Sequence, residues 1–139
     1  MSGEAVGLTM TLATPIDAAA ASADSSGAYI VAPFDGVVTA AAILAAAALT
    51  GANTESRTFQ LHNRGQDGSG TTLMASKAMT SGVNAAADDS TSLTLSATAA
   101  DLVVEEGDVL EFTSLHVGAT GLAAPKALGR VTFSRTAGA

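Results

Sequence analysis

Val6–Ala13 alternates strictly. Val6, Leu8, Met10 and Leu12 fall on one face and Gly7, Thr9, Thr11 and Ala13 on the other. A period of two with threonines outward predicts a half-buried strand. The next polar and alanine-rich stretch, Thr14–Ser26, holds Pro15 and Asp17 and reads as a loop with room for one helical turn after Asp17. Tyr29–Ile43 organises the middle of the chain: two apolar runs flank Pro33-Phe34-Asp35-Gly36. Proline removes a ladder donor and Asp-Gly is turn chemistry, so the pattern predicts two strands joined by a tight connection. Ala28–Ala32 is continuously apolar, which predicts a strand covered on both faces. Val37–Leu44 opens with β-branched residues and is read as a strand, although the alanines of Ala40–Leu49 would also support a helix.

The second half repeats the signal. Thr58–Asn63 places Phe59 and Leu61 inward and Thr58, Gln60 and His62 outward. A glycine-rich loop over Asn63–Gly70 joins it to Thr71–Met79, the expected antiparallel partner. Leu93 and Leu95 alternate with Thr94 and Ser96, Thr98–Asp101 forms a bend, and Glu105–Asp108 is a turn into Val109–Thr113. Leu128–Arg135 closes the series with Val131 and Phe133 inward. About eight short antiparallel strands with frequent turn signals predict an all-β, single-domain β-sandwich of jelly-roll type. No repeat of solenoid length occurs.

Composition sharpens this picture. The 139-residue chain has 13 acidic and 6 basic residues, a net charge of −7. Phosphate backbones and anionic lipid surfaces would be repelled, so neither nucleic acid nor membrane is an expected partner. No cysteine is present, which excludes disulfide and thiolate chemistry. The opening Met1-Ser2-Gly3-Glu4 lacks the basic and apolar regions of a signal peptide. Alanine inflates the apolar fraction, and Leu, Ile, Val and Phe make up only about a fifth of the chain. Alanine buries little area, so a thin core completed by neighbouring chains is expected.

Candidate chemistry is sparse. His62 and His116 are far apart with no cysteine between them, unlike a zinc site. Asp67-Gly68-Ser69 lacks the alternating acids and distal Glu of an EF-hand, and reads as a hairpin loop. Glu105, Glu106 and Asp108 form the densest acidic cluster and read as a solvated turn rather than a divalent site. No nucleophile elbow, phosphate loop or dinucleotide fingerprint occurs. No catalytic residue, metal or cofactor is therefore expected. The only cations are Arg57, Arg64, Lys77, Lys126, Arg130 and Arg135. Arg130 and Arg135 bracket the last strand and are candidates for ion pairs across a contact.

Three segments carry a resemblance: Tyr29-Ile-Val-Ala-Pro-Phe-Asp-Gly-Val-Val-Thr-Ala, Arg57-Thr-Phe-Gln-Leu-His-Asn-Arg-Gly-Gln-Asp-Gly-Ser-Gly-Thr and Ala100-Asp-Leu-Val-Val-Glu-Glu-Gly-Asp-Val-Leu. With the closing Gly129-Arg-Val-Thr-Phe-Ser-Arg, they resemble small head-decoration proteins of tailed bacteriophages, especially those of actinobacteria. The likeness runs from Gly27 to Arg135, and the Ala40–Ala48 run is richer in alanine than that family's pattern. It implies a non-enzymatic capsid cement protein, made in the bacterial cytoplasm, that sits as a homotrimer on the outside of the virion against the major capsid protein. Under that expectation, Met1–Thr14 forms an N-terminal arm and first strand ahead of the sandwich domain of 15–139. Leu8, Met10, Leu12, Arg130 and Arg135 are then the candidate subunit or capsid contacts. The alternative is a receptor- or glycan-binding module of a head fibre or tail. Its expected aromatic or charged pocket is opposed by loops of Gly, Ala, Ser and Asp.

Overall fold

The computed structural model describes residues 8–135. Ten strands follow in chain order: β1 (Leu8–Ile16), β2 (Ser25–Val31), β3 (Gly36–Ala45), β4 (Ser56–Asn63), β5 (Thr72–Met79), β6 (Ser90–Ser92), β7 (Thr94–Leu95), β8 (Val103–Val104), β9 (Val109–Val117) and β10 (Ala127–Arg135). A single 3-10 turn over Ala99–Leu102 is the one helical element among the described residues. One sheet runs β1-β10-β3-β6, with β8 also on β3; the other runs β2-β9-β4-β5-β7. Every pairing is antiparallel. The chain alternates between sheets at each step from β1 to β4, makes a hairpin from β4 to β5, and returns to interleave β9 and β10. This is a jelly-roll β-sandwich.

Several local expectations change. The Pro33–Gly36 connection is not a hairpin, because β2 and β3 lie in opposite sheets. Phe34 explains why: its ring is buried, so the connection dives across the end of the sandwich rather than turning in the open. Gly36 serves close approach rather than a left-handed turn, since a Cβ there would strike the Ser134 carbonyl. Ala28–Ala32 is covered on one face only. Ala28, Ile30 and Ala32 are buried while Tyr29 and Val31 stand in solvent at 55% and 53% exposure. β2 is an edge strand of a two-layer fold, and nothing among the described residues forms a third layer over it.

Thr14–Ser26 is not wholly a loop either. β1 continues through Pro15 to Ile16, paired with β10 down to Ile16↔Ala127, and β2 begins at Ser25. Proline is tolerated there because β1 is an edge strand and its missing N–H opposes no partner. The connection holds no helical turn; it carries one bridge between Ala19 and Ala124. The alanine run is strand, as the β-branched start of β3 predicted, and ends at Ala45. The segment around Leu93 splits into β6 and β7, which belong to different sheets. Of the expected N-terminal arm, Met1–Gly7 lies outside the described residues, and Leu8–Thr14 belong to β1.

Among the described residues the core combines sixteen buried larger apolar side chains, the fully buried Met74 and Met79 among them, with eight alanines. All four phenylalanines are buried: Phe34, Phe59, Phe112 and Phe133. Around them pack Ile16, Ile30, Ile43, Leu61, Leu110 and Val131. Small residues let the sheets close on these rings. Phe112 of β9 crosses the sandwich to lie against the bare backbone of Gly129 in β10, where an added Cβ would sit 2.6 Å from two ring carbons.

Candidate functional site

Antiparallel register assigns each candidate contact residue to a face. Leu8, Met10 and Leu12 are opposite Arg135, Phe133 and Val131, so all six point toward the sandwich interior. Among the described residues nothing closes the interior at this corner. Leu8 and Met10 keep 40% and 36% of their surface exposed, and Arg135 turns its guanidinium over the Phe34 ring at 5.8 Å. Such a cation over an aromatic face is worth about 0.5–1 kcal/mol when exposed. Arg130 lies five residues before Arg135 and is therefore on the opposite face of β10. The structure thus gathers Leu8, Met10, Leu12 and Arg135 at one corner and places Arg130 apart from them.

Arg130 belongs to the outer face of the β1-β10-β3-β6 sheet. Its neighbours in register are Ala13 on β1 and Ala42 on β3, and its Nη2 donates to Ser90 Oγ on β6 at 2.7 Å. Alanine at 40 and 42 leaves this face low, so a recess of about 290 Å³ opens between Thr11, Thr132, Ala40, Ser92 and Arg130. Its rim is hydroxylic: Thr11 and Thr132 share a hydrogen bond of 3.0 Å. Among the described residues no carboxylate comes within ion-pair distance of Arg130; the ion pairs found are Arg64–Glu111 and His116–Asp24.

The outer face of the other sheet is polar in a different way. Glu111 of β9 is buried at 7% exposure and accepts from Arg64 Nε at 2.8 Å and from the Gly27 N–H at 2.7 Å. Arg64 also donates to the Gly70 carbonyl and so ties down the Asn63–Gly70 loop. His62 faces Glu111 across the β4–β9 ladder, and Thr113 stands one diagonal step away. His62 Nδ1 and Thr113 Oγ1 are buried without a hydrogen-bond partner. Burial and the Arg64 charge hold the His62 imidazole below its ordinary value of 6.5, against a smaller opposing pull from Glu111. The unfolded chain then binds more protons than the folded one just below 6.5, so stability is expected to decline as pH falls from about 7 toward 5. Thermal midpoints measured across that range should show the decline, and His62→Gln should flatten it.

The acidic turn is structural. Burial acts to raise the Asp108 carboxyl, but donors from Glu105 N, Asn63 and Gln66 outweigh it and hold the group below its usual range. Asp67 likewise accepts from the backbone and side chain of Ser69, closing its own loop. Among the described residues no three His, Asp or Glu side chains converge as metal ligands, and no helix is long and apolar enough to cross a membrane.

The residue that sequence reasoning missed is Arg57. Its strand position, two before Phe59 on the inward face, was the available signal. The side chain is fully buried and donates to Leu122 O at 2.6 Å, Ser114 Oγ at 2.9 Å, Ala20 O at 3.0 Å and Ala23 O at 2.8 Å. Burial pulls its pKa below the ordinary value, with nearby Asp24 pulling the other way. The guanidinium thereby pins two loops, 17–24 and 118–126, to the sheet between them. Asp24 closes the same cluster through His116, 2.6 Å from its Nδ1. Comparison of the chain with protein-family models, with curated proteins and with solved structures finds no match.

Proposed function

We propose that this jelly-roll sandwich is a structural decoration protein of a bacteriophage head, binding the outer surface of the shell as a homotrimer against the major capsid protein. The observation that carries this reading is the outer face of the β1-β10-β3-β6 sheet. On a chain with a net charge of −7, that face presents Thr11, Ala40, Ala42, Leu44, Leu128 and Thr132, with Arg130 as the cation among them. A low, nearly uncharged surface can lie against another protein without the repulsion that the rest of the molecule would bring. The open corner at Leu8 and Met10 supplies apolar area that a neighbour could cover. The protein acts without catalysis in this reading, as cement made in the host cytoplasm and ordered on the virion.

Mixing purified protein with undecorated heads and sedimenting the particles tests the proposal. Saturable co-sedimentation at a fixed copy number per shell is expected, and no binding would reject it. Removing residues 1–7 is expected to lower shell occupancy; unchanged occupancy would reject a role for the N-terminal arm.

A further inference from the structure

The recess around Arg130 has a chemistry of its own. Its floor is alanine, so neither Ala40 nor Ala42 fills it, and its walls carry the hydroxyls of Thr11, Thr132, Ser90 and Ser92. A guanidinium offers five N–H donors in a planar fork. Arg130 makes one hydrogen bond, to neutral Ser90, leaving most of the fork directed to no acceptor among the described residues. The volume of about 290 Å³ accommodates a single side chain with its flanking backbone, not a large ligand.

We infer that this recess receives one carboxylate side chain, Asp or Glu, presented by an extended segment of a different protein chain. Charge complementarity selects the occupant. Arg130 is a cation with no carboxylate partner among the described residues, set among threonine, serine and alanine side chains. The carboxylate would accept two parallel N–H bonds from the fork, while Thr and Ser hydroxyls donate to its remaining lone pairs. The alanine floor lets the backbone of the incoming segment approach the sheet closely. The inference deepens the shell-binding reading by naming the chemistry of the partner at this face, and it rests on that reading for the identity of the partner.

The test uses the full chain, isotopically labelled, titrated with the capped peptide acetyl-Ser-Glu-Ser-amide and with its Gln counterpart while amide shifts are recorded. Saturable shifts confined to Thr11, Ala40, Ala42, Ser90 and Thr132 are expected for the Glu peptide alone. Arg130→Gln should weaken the response by about fivefold or more. Ala40→Leu, which fills the recess without changing charge, should abolish it. Both positions face outward, and unchanged dispersion of core amides verifies the fold. Should either variant fail to fold, Arg130→Lys keeps the charge, loses the fork and is expected to weaken the response. Equal shifts with the Gln peptide, no saturation, or indifference to the Arg130 variants would overturn the inference. So would a change in oligomeric state on Arg130 substitution, which would make the occupant another copy. Sedimentation of the wild-type chain with heads is run in parallel. Binding to heads with no carboxylate response removes only this inference, whereas no binding to heads removes the wider reading.

Discussion

Arg57→Met is expected to lower folding stability by about 3–5 kcal/mol, although methionine nearly matches the aliphatic length of arginine. The cost does not come from a lost ion pair. It comes from the acceptors left behind: the carbonyls of Ala20, Ala23 and Leu122 and the hydroxyl of Ser114 all bond the guanidinium. Three of these are backbone groups that no side-chain redesign removes, and each buried orphan costs about 1–3 kcal/mol unless water reaches it. Arg57→Lys should recover only part of the loss, because one ammonium cannot span acceptors on two loops and a strand. Urea denaturation monitored by far-ultraviolet circular dichroism measures both. Equal stability of Arg57→Met and wild type would show that the loops are held by something other than this side chain. Hydrogen exchange should localise the residual effect in Arg57→Lys to residues 19–24 and 118–124.

Phe112→Ala is expected to cost about 3–5 kcal/mol as well, by a different physical route. The ring is fully buried and bridges the two sheets, resting on Gly129. Removing the ring leaves a cavity between the two sheets, whose strands are fixed by their hydrogen-bonded ladders and can close on it only in part. The converse change, Gly129→Ala, places a methyl 2.6 Å from the ring and is expected to cost about 1–3 kcal/mol through overpacking. The two sites should couple: Phe112→Leu combined with Gly129→Ala is expected to be less destabilised than the sum of the single changes. Strict additivity in a double-mutant cycle would mean that the ring and the glycine do not share one packing constraint.

These effects separate what the sequence announces from what it conceals. Alternation in Thr58–Asn63 and Leu128–Arg135 is legible because one face of each strand meets the core. The β-branched start of β3 outweighs its alanines for the same reason: Val38, Ala41 and Ile43 face inward once a strand forms. Sheet membership is not legible. Pro33-Phe34-Asp35-Gly36 carries hairpin chemistry, yet the burial of Phe34 and the close approach of Gly36 to Ser134 decide for a crossing between sheets, and both are long-range contacts. Strand ends suffer likewise. β1 runs on through Pro15 because it lies at an edge, which pattern alone does not tell.

The candidate contacts divide by the same logic. Leu8, Met10 and Leu12 were visible as an apolar stripe, and they do share a face with Arg135. Arg130 was visible only as a scarce cation. Its setting, a recess floored by alanines from β3 and walled by β1 and β6, exists only once three strands far apart in the chain are brought together. Arg57 was visible only as an arginine at an inward strand position, which gives no sign of the loop carbonyls that surround it.

The most direct measurement is cryo-electron microscopy of decorated heads at a resolution that orients the sandwich. Regularly spaced threefold densities are expected on the outer shell, with the β1-β10-β3-β6 face turned toward the capsid surface and the β2-β9-β4-β5 face toward solvent. Density confined to a vertex or tail, or a shell-bound sandwich with that first sheet facing solvent, would contradict that expectation.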